Sequence, residues 1–206
     1  MGRSKKTILN IDIGGTKIRA NFGGKLQKWN TPRTKKEFAK ILEKLPRADA
    51  VGIGVAGVIS GTRVIKSPNI RYLKNFDFRE IFPKVVLRID NDARVFLGER
   101  IGRFGGRRIL AFTIGTGIGR AYGEGGKVKM IKKFEYPVSW EKEYQKIRDS
   151  KDDRKLAEYL GKKLNAIIKK YKPDSIVLSG GVTRRKGFYK KLSKLLRVKT
   201  AMLFQS

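Results

Sequence analysis

The chain opens with a β-branched, apolar run from Thr7 to Ile13 that stops at Gly14-Gly15, and Lys17 to Phe22 repeats the pattern before Gly23-Gly24. Apolar runs punctuated by glycine pairs predict a β-hairpin. Leu26 to Trp29 is a candidate third strand. Lys35 to Leu45 sets Phe38, Ile41, Leu42 and Leu45 at helical spacing, and Ala50 to Ala56 reads as a buried strand. Short strands around Val58 and Val64, a Ser67-Pro68-Asn69 turn and an irregular stretch to Pro83 follow. Val85 to Asp90 returns as a strand. A helix over Asn91 to Arg100 begins at Asn91 or Asp92, continues through Ala93, Phe96 and Leu97, and ends near Gly102.

The second half repeats this grammar. A strand from Arg108 to Ile114, the turn Gly115-Thr116-Gly117 and a strand from Ile118 to Tyr122 are expected, with Val128 to Ile131 as a third strand. A long amphipathic helix spans about Asp152 to Tyr171, with Leu156, Leu160, Leu164, Ile167, Ile168 and Tyr171 on its apolar face. The strand Ser175 to Ser179, a Gly180-Gly181 turn and a helix from about Gly187 to Leu196 close the chain. The two halves share an architecture without sharing a sequence repeat, which predicts two lobes, residues 1–90 and 91–206.

Composition narrows the chemistry. The 206 residues, 40% hydrophobic, suffice for two small cores. With no cysteine and no histidine, disulfides, thiolate nucleophiles, cysteine zinc sites and histidine bases are excluded, so acid–base work falls to Asp, Glu, Lys or Tyr. The start from Met1 to Lys6 is polar and basic, and no stretch approaches the roughly 20 apolar residues of a membrane span. A cytoplasmic protein without membrane contact is expected. Lys and Arg number 49 against 18 Asp and Glu, a formal charge of +31 that attracts polyanions. Non-specific nucleic-acid binding is therefore an expected property, with Arg103 to Arg108, Arg184-Arg185-Lys186 and Lys190-Lys191 as basic clusters and Trp29, Tyr72 and Trp140 as candidate stacking surfaces.

Four segments carry candidate chemistry. Asp12-Ile13-Gly14-Gly15-Thr16-Lys17 ends a strand and combines a carboxylate, a flexible turn, a hydroxyl and a cation. Glycines let backbone N–H groups approach phosphate oxygens, Thr16 can donate to them, and Asp12 can position Mg²⁺ directly or through water. An ordinary glycine hairpin is the alternative. Thr113-Ile114-Gly115-Thr116-Gly117-Ile118-Gly119 places a second such turn about a hundred residues on, as expected if two lobes grip one polyphosphate. In Asp90-Asn91-Asp92-Ala93, at a strand-to-helix junction, a carboxylate can take the proton of an attacking hydroxyl; helix capping by Asn91 or Asp92 is the alternative. Val177-Leu178-Ser179-Gly180-Gly181-Val182 can seat a flat ring or ribose against backbone, or serve as a plain strand exit.

In this order, across about Ile8 to Val182, the segments resemble the ROK family of actin-like (ASKHA) phosphotransferases. The resemblance implies a two-lobed actin-like ATPase (ribonuclease H-like) α/β fold and an ATP-dependent, glucokinase-like sugar kinase with MgATP in the cleft. It makes Asp12 to Lys17 the first phosphate loop and Gly115 to Gly117 the second, Asp92 the catalytic base, and Gly180 and Gly181 the adenosine contact. Asp12 places Mg²⁺. Gly52-Ile53-Gly54-Val55-Ala56-Gly57 resembles the family's Gly-rich strand and Ser67-Pro68-Asn69 its sugar-contacting turn. Asn69, Asn91 and Glu135 are then the residues expected to hold substrate hydroxyls, and a homodimer is expected.

The departures are equally specific. Phe134-Glu135-Tyr136-Pro137-Val138 keeps a glutamate where members carry a Glu-x-Gly-His element, the cysteine zinc cluster is absent so no zinc is expected, and Arg120 stands where a small glycine is usual. The chain is also shorter than typical members. Two further readings follow: a catalytically retired kinase scaffold that binds polyanions or nucleic acid, and a kinase for a non-hexose hydroxyl compound. With six residues before the first strand, the DNA-binding helix-turn-helix of the family's regulators is not expected.

Other enzyme classes fit less well. Gly52-x-Gly54-x-x-Gly57 formally matches a dinucleotide fingerprint, with Asp77 about twenty residues on, but that fingerprint must open a helix and Val58 to Gly61 reads as strand and turn. No Gly-x-x-x-x-Gly-Lys-Ser/Thr segment occurs, against a P-loop enzyme. A serine-lysine hydrolase remains compatible with composition.

Overall fold

The computed structural model describes residues 6–131 and 133–203, so the basic start before Lys6 lies outside them. The chain divides into two compact units, the first ending at Asp92 and the second beginning at Ala93.

In the first unit Ile8–Ile13 (β1) pairs antiparallel with Lys17–Phe22 (β2), which pairs antiparallel with Lys25–Asn30 (β3). The helix Lys35–Glu43 (α1) then crosses to Ala50–Val55 (β4), which lies parallel to β1. Thr34 caps α1: its hydroxyl oxygen accepts from the Glu37 N–H, and the hydroxyl itself donates to the Glu37 carboxylate. Nine residues are too few for a helix to persist alone in water. Burial of Phe38 and Leu42, at about 1.5 to 3 kcal/mol for each side chain, holds it on the sheet. Val58–Ser60 (β5), Arg63–Lys66 (β6) and Phe76–Asp77 (β7) form a small antiparallel sheet, and Phe76 meets Phe38 and Phe78 edge to face at 5.4 and 5.0 Å. Val86–Asn91 (β8) completes the main sheet in the order β3-β2-β1-β4-β8. After β4 the chain enters β5 and not a helix, which removes the dinucleotide reading of Gly52 to Gly57.

The helix Asp92–Gly98 (α2) carries the chain from the first unit into the second. It is shorter than expected: Arg100 turns back to donate to the Phe96 carbonyl at 2.8 Å, and a 3₁₀ turn occupies Ile101–Phe104. Ile109–Ile114 (β9), Ile118–Glu124 (β10) and Lys127–Lys129 (β11) form an antiparallel meander. Glu141–Asp149 (α3), which the apolar pattern did not reveal, precedes Asp153–Tyr171 (α4), capped by the Asp152 carboxylate at the N–H groups of Arg154 and Lys155. Ser175–Ser179 (β12) joins β9 in parallel, Phe188–Leu195 (α5) packs on α4, and Thr200–Leu203 (β13) is a further strand absent from the sequence reading.

The second sheet runs β11-β10-β9-β12-β13, the same order and the same mixture of antiparallel and parallel neighbours as the first. The repeat places the two glycine turns at equivalent positions, one between β1 and β2 and the other between β9 and β10. The central strand β9 is buried on both faces, which its unbroken apolar run requires. Leu110, Phe112 and Ile114 meet the α3–α4–α5 layer, while Ile109 and Ala111 meet Ala93, Phe96 and Leu97 of α2. That i, i+3, i+4 contact holds α2 on β9 of the second unit.

Candidate active site

The first glycine turn closes through Gly14 N–H to the Lys17 carbonyl at 3.0 Å. Thr31, just beyond β3, braces it twice: its hydroxyl donates to the Gly14 carbonyl at 2.6 Å and its N–H to the Thr16 carbonyl at 2.9 Å. In a planar trans peptide C=O and N–H point oppositely. Holding these two carbonyls back therefore aims the N–H groups of Gly15 and Lys17 the other way, as a phosphate loop needs. Thr16 and Lys17 are exposed. Asp12 and Arg19, direct partners across β1 and β2, form an ion pair at 2.8 Å with the Asp12 side chain 48% exposed.

The second turn closes through Gly115 N–H to the Gly117 carbonyl at 2.9 Å, and its brace comes from α3. Tyr144 donates its hydroxyl to the Gly115 carbonyl at 2.6 Å, Arg148 donates to the carbonyls of Gly115 and Thr116, and Gln145 donates to that of Thr116 at 3.3 Å. Glu141 accepts from the Ile118 N–H at 2.8 Å. Burial raises the Tyr144 hydroxyl's pKa, keeping it a donor, although Arg148 and Arg185 pull the other way. The N–H groups of Thr116 and Gly117 face away from α3 by the same peptide geometry. Tyr144, Gln145 and Arg148 were absent from the sequence reading; the signal was polar groups at i, i+3, i+4 and i+7 from Glu141.

Gly180 adopts φ +108°, and a Cβ there would stand 2.3 Å from the Ile114 carbonyl oxygen, so only glycine fits where β12 leaves the sheet. Val182 N–H donates to that carbonyl, and the Thr183 hydroxyl holds the Gly180 carbonyl at 2.8 Å. A hollow of about 390 Å³ follows, with Arg184, Lys186, Tyr189 and Lys190 in its wall.

In the first unit the Gly-rich strand, the Pro-Asn turn and the Asp90–Asp92 junction converge. A Cβ on Gly57 would lie 2.5 Å from the Lys66 carbonyl, so glycine permits the approach of β6. The buried Ser67 hydroxyl donates to the Ala56 carbonyl at 2.7 Å, anchoring the turn that carries half-buried Asn69. Buried Asn91 donates its amide to the Gly57 carbonyl at 2.8 Å, and Asp90 accepts from the Asn91 N–H at 2.7 Å. Asp92 follows, half-buried, as the first residue of α2.

Glu135 is held on both sides. Its carboxylate pairs with Arg94 of α2, the two side chains being only 11% and 6% exposed, and buried Arg120 donates to the carbonyl of the next residue, Tyr136. Burial lowers the Arg120 pKa, an effect opposed by Glu141, Tyr171 and Glu135, and its Nε finds no partner among the described residues. The expected stacking surfaces are committed to packing. Tyr72 lies on Phe38 and donates to the Pro32 carbonyl, burial pushing its hydroxyl up to about 12; Trp140 lies on Tyr159, and Trp29 packs against the first core. Among the described residues no group of three or more Asp or Glu gathers to hold a metal, and no helix is long and apolar enough to cross a membrane.

The ROK family model matches residues 8–130. No curated protein matches the chain by sequence. Among solved structures, an inorganic polyphosphate/ATP-glucomannokinase from Arthrobacter sp. strain KM aligns over 97% of this chain and 92% of its own, at 21% identity and a TM-score of 0.77. A ROK family glucokinase from Streptomyces griseus, in complex with glucose and AMPPNP, aligns over 97% and 94% at 19% identity and a TM-score of 0.74. A ROK family transcriptional regulator, a homolog of the E. coli MLC protein, aligns over 95% and 73% at 13% identity and 0.65. At these identities the likeness concerns the fold, which is the two-lobed actin-like α/β architecture expected from the sequence.

Proposed function

The chain belongs to the ROK family, and from that premise we propose that it is an ATP-dependent kinase that transfers the γ-phosphoryl group to a hydroxyl of a sugar or sugar-like small molecule. The observation that carries this reading is the pair of equivalent glycine turns, each with two carbonyls tied back and its N–H groups aimed away from the tie. The glucomannokinase and the glucokinase bound to AMPPNP among the similar structures support it.

In the proposed mechanism Gly14, Gly15 and Thr16 and, in the other unit, Gly115, Thr116 and Gly117 take the phosphates through backbone N–H groups, Lys17 adds charge, and Gly180 and Gly181 lie at the adenosine. Asp12 fits a Mg²⁺ held through water, since Arg19 already occupies one of its oxygens. Mg²⁺ neutralises charge on the phosphates when bound. Asp92 accepts the proton of the acceptor hydroxyl as that oxygen bonds the γ-phosphorus and the bond to the β-phosphate breaks, releasing ADP. Asn69, Asn91 and Glu135 hold the acceptor. Because Arg94 engages Glu135, fewer of its lone pairs are left for sugar hydroxyls, which favours an acceptor other than a plain hexose.

Ligand that binds only the native state raises stability by mass action, about 2.7 kcal/mol at a hundredfold excess over Kd. Saturating MgATP is therefore expected to raise Tm by roughly 5 to 10 °C for a chain of this size. A thermal-shift series with and without Mg²⁺ checks it, and an unmoved Tm contradicts the reading.

A further inference from the structure

Phosphoryl transfer leaves one property of the chain unabsorbed, its charge. The excess is distributed unevenly: Asp174 is the last acidic residue, and eight Lys and Arg follow it with no carboxylate side chain among them. They lie on the connection from β12 through α5 to β13. Some basic side chains elsewhere have acids beside them, as in Arg154–Glu158 at 3.1 Å and Arg63–Asp77 at 3.2 Å, and the exposed Lys36 and Lys40 of α1 have Glu37 and Glu43 on the same helix. In this connection Arg185 pairs with Asp153 at 2.8 Å and Lys199 acts on Asp174, whereas Lys186, Lys190, Lys191, Lys194 and Arg197 are all exposed and make no ion pair among the described residues. Like charges packed this closely repel one another, so the segment is suited to a partner that supplies the missing anions.

The chemistry of the surface selects among polyanions. An anionic bilayer is recognised by basic residues together with an apolar face that enters the lipid. On α5 most of that face is spent, because Phe188 and Leu192 are buried in the second core and Leu195 is the one exposed leucine of the helix. Lys190 and Lys194 stand one helical turn apart on the opposite side, and the hollow at the start of the helix joins Arg184, Lys186 and Lys190 to the ring of Tyr189. The Tyr189 ring packs in part against the second core and its hydroxyl donates to the Ala201 carbonyl at 2.8 Å, so that, unlike Tyr72 and Trp140, it is a fixed ring whose uncovered part lines a hollow. A volume of about 390 Å³ exceeds what a lone ion fills. Cations along a track with an aromatic ring at one end match a strand of phosphates carrying exposed bases.

We propose that the connection between β12 and β13 binds a single nucleic-acid strand, its phosphates over Lys186, Lys190, Lys194 and Arg197 and one base in the hollow against Tyr189. The proposal uses none of the groups assigned to phosphoryl transfer and is tested without activity. A labelled single-stranded oligonucleotide is titrated by fluorescence anisotropy, over a salt series, against the full chain and three variants. The first variant combines Lys190→Gln, Lys191→Gln, Lys194→Gln and Arg197→Gln. The second removes equal charge from exposed positions around α1, with Lys36→Gln, Lys40→Gln, Lys44→Gln and Arg47→Gln. The third is Tyr189→Leu.

At about 0.7 per phosphate contact on a single strand, the first variant is expected to reduce the log–log salt slope by about 2 to 3 and weaken binding at least tenfold. The second, of identical net charge, should stay within roughly threefold of the parent, and Tyr189→Leu should lose about tenfold. Equal losses in the first two variants would show attraction by net charge alone and overturn the located surface. So would a duplex bound as tightly as the strand, or phosphatidylserine vesicles bound with the same variant dependence while the oligonucleotide is not.

Discussion

Asp92→Asn is expected to fold, to bind MgATP with the parent's Tm shift, and to turn over about 10² to 10⁴ times more slowly, the range for loss of a positioned general base. Asn keeps the size of the side chain and is as good a helix cap as Asp, so the substitution separates the two jobs a carboxylate can do at the start of α2. Ala93, Phe96 and Leu97 pack the rest of the helix against Ile109 and Ala111 of β9, so the helix does not depend on its first side chain alone. Asp90→Asn is the neighbouring control. Its carboxylate accepts from the Asn91 N–H, a bond that an amide oxygen can replace, so its turnover should fall far less. Steady-state kinetics on a responsive acceptor checks both, and near-normal turnover in Asp92→Asn would remove that residue from the mechanism.

Arg148→Met should produce the next largest loss. Arg148 donates to two successive carbonyls of the second glycine turn from a side chain that is 17% exposed, so methionine keeps much of its packing and removes both bonds. Tyr144 and Gln145 still hold the turn, which limits the loss of fold. A phosphate loop misplaced by as little as 1 Å can cost about 10² in rate. We expect kcat/KM for MgATP to fall by about that factor through both constants, KM for the acceptor to change little, and Arg148→Lys to recover part of the loss. A lowered Tm with unchanged kinetics in Arg148→Met would make α3 a structural brace only.

Much of the fold could be read from apolar pattern because its strands answer to burial. Ile8–Ile13 and Ile109–Ile114 announce themselves by β-branched and apolar runs that end in glycine, and α4 by leucines at helical spacing. Helix α3 escaped for a physical reason. Only Tyr144 and Ile147 are buried on it, and the side that matters turns polar groups toward loop carbonyls, so hydrophobic periodicity carries no signal there. Strand β13 escaped because four residues so soon after a helix give no alternation to count. The Asp12–Arg19 pair was derivable, since a hairpin that sets Ile13 opposite Ile18 must set Asp12 opposite Arg19. The Arg94–Glu135 pair was not, because it joins residues far apart in sequence that only tertiary packing brings together.

The most direct test of the kinase reading is transfer itself: ADP formation by the purified full chain with MgATP against a panel of sugars, amino sugars, polyols and nucleosides, with phosphorylated product identified by mass. The account predicts equal amounts of ADP and phosphorylated acceptor for at least one compound, with the rate falling in Asp92→Asn. No transfer to any compound, together with a Tm that MgATP does not move, would contradict it.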